Sequence, residues 1–167
     1  SQDGEIVAFW SGRDLANNAP NPAGEIYLWH SPRPENPREE VLQLTGDSSF
    51  GNLPNNDPAI TQNGRAVIFW SSNDPAGSKP DHAPNLIKCP INLDTSMGPP
   101  SWYFQPLTSS SHQDPNLDPW ISTASGGNRV AFVSRADLDP LPGNTDHNPE
   151  IFYWEAGDVR QVTDSIN

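Results

Sequence analysis

One ten-residue segment occurs three times in this chain. Gln2-Asp3-Gly4-Glu5-Ile6-Val7-Ala8-Phe9-Trp10-Ser11 returns as Gln62-Asn63-Gly64-Arg65-Ala66-Val67-Ile68-Phe69-Trp70-Ser71, and more loosely as Gly127-Asn128-Arg129-Val130-Ala131-Phe132-Val133-Ser134. The aligned phenylalanines Phe9, Phe69 and Phe132 stand 60 and then 63 residues apart. A period of that size is the mark of a repeat array, in which each unit buries its apolar face against the next.

Within the period, short apolar runs alternate with turn chemistry. Asp57-Pro58-Ala59-Ile60-Thr61 and Asp118-Pro119-Trp120-Ile121-Ser122 read as a first strand, with the proline at its start, outside the ladder. Asn63-Gly64 and Gly126-Gly127 are tight-hairpin turns. The unbroken apolar runs 66–70 and 129–133 predict a second strand covered on both faces. Long polar loops (11–24, 71–84 and 134–149) lead to a third strand at 25–29, 85–89 and 150–154. A last strand ends at Leu44-Thr45, Leu107-Thr108 and Val162-Thr163. No stretch keeps a helical period, so the chain is expected to be all-β. The 19 prolines and 12 glycines fit many turns between short strands. Six tryptophans set in periodic apolar runs argue against whole-chain disorder.

Four short antiparallel strands per unit describe the blade of a β-propeller. The order Asp-Pro-x-Ile-Ser/Thr, Gly, Val-x-Phe-x-Ser, Glu-Ile-Phe-x-Trp and Val-Thr resembles the TolB-type, WD-like propeller repeat, most closely in 129–134 and 148–153. The resemblance covers the whole chain, and it implies three blades at 1–58, 59–119 and 120–167 and a bacterial periplasmic or secreted setting. The first blade lacks its Asp-Pro strand, which gives three, four and four strand signals. Propellers close with about four to eight blades, so three make an incomplete or half ring. Three completions remain open: a longer chain, a second copy of this one, or a different protein that pairs with the open strand edges.

Charge narrows the partners. With 21 acidic against 9 basic residues, a formal charge of −12 argues against a nucleic-acid partner. Cys89 stands alone, so no intrachain disulfide forms. No apolar run is long enough to cross a bilayer, and membrane insertion is not expected.

Candidate chemistry is sparse. Asp137, Asp139, Asn144 and Asp146 place oxygen donors at spacings that resemble the first part of a calcium loop, although the glutamate that completes an EF-hand is missing. The competing account is turn formation, because Asp and Asn side chains bond their own backbone. Calcium is thus the one cofactor the sequence raises. His82 and His147 each follow an aspartate in corresponding loops, and Asp14, Asp74 and Asp137 open the three loops. Trp102-Tyr103-Phe104 has no counterpart in the other repeats and is a candidate aromatic contact surface. There is no Gly-x-Ser-x-Gly elbow, no phosphate loop and no H-E-x-x-H. The expectation is a non-catalytic module that binds protein through Asp14, Asp74, His82, Asp137 and His147 with Trp102 and Tyr103. The alternatives are the propeller part of a larger polysaccharide- or peptide-degrading enzyme, and an assembly subunit that uses open strand edges.

Overall fold

A computed structural model describes residues 1–15, 24–32, 40–45, 55–72, 85–93, 102–109, 128–139 and 143–165, and the backbone of 116–121. The described residues hold strands and no helix. They are β1 (Ile6–Ser11), β2 (Glu25–His30), β3 (Glu40–Gln43), β4 (Asn55–Ile60), β5 (Ala66–Ser71), β6 (Asn85–Pro90), β7 (Gln105–Pro106), β8 (Asn116–Ile121), β9 (Arg129–Ser134), β10 (Glu150–Glu155) and β11 (Asp158–Gln161). They form three antiparallel sheets: β1-β2-β3, β4-β5-β6-β7 and β8-β9-β10-β11. The three, four and four strands expected from the sequence are therefore present. β4 and β8 begin at Asn55 and Asn116, ahead of the boundaries 58/59 and 119/120.

Two apolar cores join the sheets. The first gathers Ile6, Ile26, Leu28 and Leu44 from the first sheet with Val67, Phe69, Ile87 and Cys89 from the second. Ile68, Leu86 and Leu107 of the second sheet then meet Val130, Phe132, Phe152 and Trp154 of the third. Adjacent residues of a strand point to opposite faces. β5 therefore sends Val67 and Phe69 one way and Ile68 the other, and all six of its residues are buried. This is why its sequence is apolar without alternation. Fully burying one such side chain stabilises by roughly 1.5–3 kcal/mol.

The Asp-Pro step differs from its expected place. Asp57-Pro58 lies inside β4, where the pairing with β5 slips between Asn56 and Ala59, and β8 slips on β9 between Leu117 and Trp120. A bulge takes one residue out of the ladder, which gives the missing proline N–H a site that costs no hydrogen bond. Asp57 adopts φ 52° at that bulge, a left-handed conformation that aspartate tolerates better than most residues.

The turns behave as expected where they are described. Gly4 and Gly64 have φ of 73° and 67°, and the preceding Asp3 and Asn63 accept hydrogen bonds from the N–H of Glu5 and Arg65, both at 3.1 Å. The Gly126-Gly127 turn lies outside the described residues.

Among the described residues no strand pairs with β1 on the side that β4 takes on β5, so β1 is an edge of the first sheet. Matched positions of β1 and β5 also differ in cover. Val67 and Trp70 are 0% and 9% exposed, whereas Val7 and Trp10 are 44% and 48% exposed. Trp154 packs between the second and third sheets, whereas Trp10 is half exposed on the face of β1 that also carries Ile6 and Ala8.

Candidate functional site

The loops between second and third strands leave from Ser11, Ser71 and Ser134 and return at Glu25, Asn85 and Glu150, the residues that face them in register. All three returning side chains are buried, and a buried polar group without a partner is costly. Each is clasped by a threonine. Thr45 Oγ1 donates to Glu25 Oε2 and accepts from Ile26 N–H at 2.9 Å. Thr108 Oγ1 donates to Asn85 Oδ1 at 3.3 Å and accepts from Leu86 N–H at 3.0 Å. Thr163 Oγ1 donates to Glu150 Oε2 and accepts from Ile151 N–H at 2.8 Å. A hydroxyl suits the position because it donates and accepts at once.

Asn55 ties the first sheet to the second at this end. Its Nδ2 donates to Glu25 Oε2 at 3.2 Å and to the Gly24 carbonyl at 3.3 Å, while its Oδ1 accepts from Ser71 Oγ at 2.6 Å. On the third sheet Ser165 contributes instead, giving Glu150 Oε1 a backbone N–H at 2.7 Å and a hydroxyl. The Ser165 hydroxyl, then Thr163, then the Ser165 N–H hold the Glu150 carboxyl below the usual glutamate range, because bonds to the ionised form favour it. These clasps were missed in the sequence, where the one signal was Thr and Glu or Asn recurring at matched positions.

The loop after β9 carries the calcium candidates. Asp137 Oδ1 accepts from Asn144 N–H at 2.9 Å. Asp139 is turned to β11, where its Oδ2 accepts from Gln161 N–H at 2.8 Å. Asp146 is bonded to Asn148, accepting from its Nδ2 at 2.6 Å. Asn144 Nδ2 donates to the carbonyls of Arg135 and Asn148 at 3.1 and 2.9 Å. His147 has φ 55° and places Nδ1 3.2 Å from the Arg135 carbonyl, and Arg135 Nη1 donates to the His147 carbonyl at 3.4 Å. The side chains thus fix the loop's backbone, as turn chemistry does. Among the described residues no three His, Cys, Asp or Glu come together as a metal-holding group.

One further candidate, Asp14, lies in the loop after β1. Tyr27 Oη donates to the Arg13 carbonyl at 2.9 Å and accepts from Leu15 N–H at 3.4 Å, which holds Asp14 between them. Burial raises the Tyr27 phenol, and the charges of Asp14 and Glu25 push the same way. The aromatic triplet divides. Trp102 Nε1 donates to the Gln43 carbonyl at 3.1 Å, Phe104 meets Phe69 edge to face at 6.2 Å, and both pack against the first core. Tyr103 alone is exposed. Asp74 and His82 lie outside the described residues.

No described helix is long and apolar enough to cross a membrane. No family model matches the chain, and no curated protein matches it.

Proposed function

We propose that this chain is a non-catalytic interaction module, an array of propeller-type blades that offers the loops between second and third strands to another protein. The observation that carries the reading is the described part of the loop after β9, residues 135–139 and 143–149. Asp137, Asn144, Asp146 and His147 are spent on holding its backbone, while the Asp137, Asp146 and His147 side chains stay exposed. Backbone already held in this way loses little entropy on binding, and loops on a rigid scaffold are where recognition concentrates. The chain's charge of −12 favours a cationic partner surface. The resemblance to TolB-type repeats supports a bacterial periplasmic or secreted setting.

The test replaces loops 12–23, 72–84 and 136–148 with short glycine-containing turns, singly and together, and compares the proteins each variant captures from periplasmic extract. Loss of specific captured proteins from a folded variant is the expected result. An unchanged set after all three replacements would sink the reading.

A calcium ion at the same loop is a second reading with one observation in its favour. Asn144 is 1% exposed, and its Oδ1 has no hydrogen-bond partner among the described residues. That oxygen and the Asp137 carboxylate are hard donors of the kind calcium takes. Calorimetric titration with calcium chloride tests it, and Asn144→Ala should abolish any heat that comes from this site.

A further inference from the structure

We propose that Lys88 Nζ is a carbonyl-reactive amine that holds a small aldehyde as a Schiff base at the joint between the second and third sheets. The inference is separate from the loop face, and the repeat itself supplies its reference.

Leu28 and Lys88 are the fourth residues of β2 and β6, and Cys89 and Trp154 are the fifth residues of β6 and β10. The first core holds leucine and cysteine at these positions. The second joint holds lysine and tryptophan instead. Adjacent residues of a strand alternate between faces, so Lys88 shares with Leu86 the face that meets the third sheet. Leu28 is 0% exposed and Lys88 9%. A lysine this buried is rare unless it is paired. The chain has 21 acidic residues, yet no described carboxylate forms an ion pair with it. Its Nζ donates to Asn128 Oδ1 at 3.2 Å and stands 5.9 Å from the centroid of the Trp154 ring, within cation–π reach.

This setting favours the neutral amine, which is the nucleophile. Burial holds Lys88 below the usual lysine range, and no neighbouring charge offsets it. Asn128 is exposed, so the lysine stem is buried while its head meets the mouth of the joint. A small carbonyl compound can reach it there.

The frame also fits the product. The Nζ lone pair attacks the carbonyl carbon, and the carbonyl oxygen takes up two protons from nitrogen and leaves as water. Ammonium plus aldehyde thus gives iminium plus water, with charge conserved and no oxidant or reductant required. An ammonium carries three N–H donors, and the described frame offers it one acceptor. The iminium has a single N–H, which Asn128 Oδ1 satisfies, and it keeps a positive charge over the Trp154 face. An acyl group on the same nitrogen would remove that charge and the indole contact with it, so the site suits an aldehyde rather than an acyl donor.

The test incubates the full chain with acetaldehyde and sodium cyanoborohydride near neutral pH, which traps the imine as an ethyl group. Peptide mass spectrometry then compares Lys88 with Lys79, the other lysine of the chain. The expected result is trapping at Lys88 roughly tenfold or more faster than at Lys79 in the folded chain, with the difference gone in urea. Asn128→Ala, at an exposed position, should slow trapping at Lys88 severalfold and leave Lys79 unchanged. Lys88→Leu installs the residue of the matched position in β2 and should stay folded while losing that label alone. The proposal is overturned if the two lysines are trapped alike in the folded chain, if the preference survives unfolding, or if Asn128→Ala leaves it unchanged.

Discussion

Val7 and Val67 are the same residue at the same strand position, and their truncation to alanine should differ in cost because their neighbours differ. Val67 is fully buried in the first core between two sheets, and Val7 is 44% exposed on the outer face of the first sheet. Valine to alanine removes two methyl-sized groups at about 0.8 kcal/mol each, or about 1.6 kcal/mol before any cavity. The cavity left between two packed sheets raises the Val67→Ala cost to about 2–3 kcal/mol. At Val7 little more than half of the transfer energy is at stake, and water fills the space, so the cost is about 1 kcal/mol or less. Urea unfolding with fixed m values measures both, and the predicted gap of about 1–2 kcal/mol lies well above the error of paired fits. In a chain of this size each kcal/mol shifts Tm by about 2–4 °C. Equal costs, within about 0.5 kcal/mol, would refute the argument that the Val7 face of the first sheet is open where the Val67 face of the second is covered.

Other consequences follow from the clasps and the core. Thr45→Val keeps the shape but strips Ile26 N–H and Glu25 of a buried partner. It should cost about 1–3 kcal/mol in urea unfolding; a neutral effect would mean the clasp is ornamental. Glu150 has a depressed carboxyl in the fold, so its stabilisation is full above the unfolded value, about 4.3, and is lost as pH falls through the folded value. The Tm difference between wild type and Glu150→Gln should therefore shrink with acidification below pH ~4, and a pH-independent difference would contradict it. Burial pushes the Cys89 thiol up to about 12, so a disulfide reagent at pH ~8 should react only as fast as the chain unfolds. Fast labelling of native protein would show that the first core is open.

The period and the strand order were legible because sheet packing imposes them on the sequence directly. The unbroken run in β5 has to be apolar, since Val67 and Ile68 serve different cores. Turn glycines were legible for a similar reason: Gly64 needs a positive φ that other residues resist. The bulge at Asp57-Pro58 was not, because a proline beginning a strand and a proline within a bulged one leave the same local sequence. The clasps escaped notice since their partners, Glu25 with Thr45 for instance, lie about twenty residues apart and become neighbours only across the β2–β3 pair. Trp102 resembled a surface residue for want of a repeat counterpart, yet it closes the first core against Gln43.

The ends of the array follow from the same comparison. Leu44, Leu107 and Val162 each donate their N–H to the matching carbonyl of Ile26, Leu86 and Ile151, at 2.9, 2.8 and 2.7 Å, so the backbone treats the three positions alike. Their surroundings do not. Ile26 and Leu44 are buried against the second sheet, and Leu86 and Leu107 against the third. Ile151 and Val162 are 44% and 63% exposed. The third sheet therefore shows the face with which a sheet receives its successor. The first sheet shows the opposite face, through Val7, with which β5 meets its predecessor.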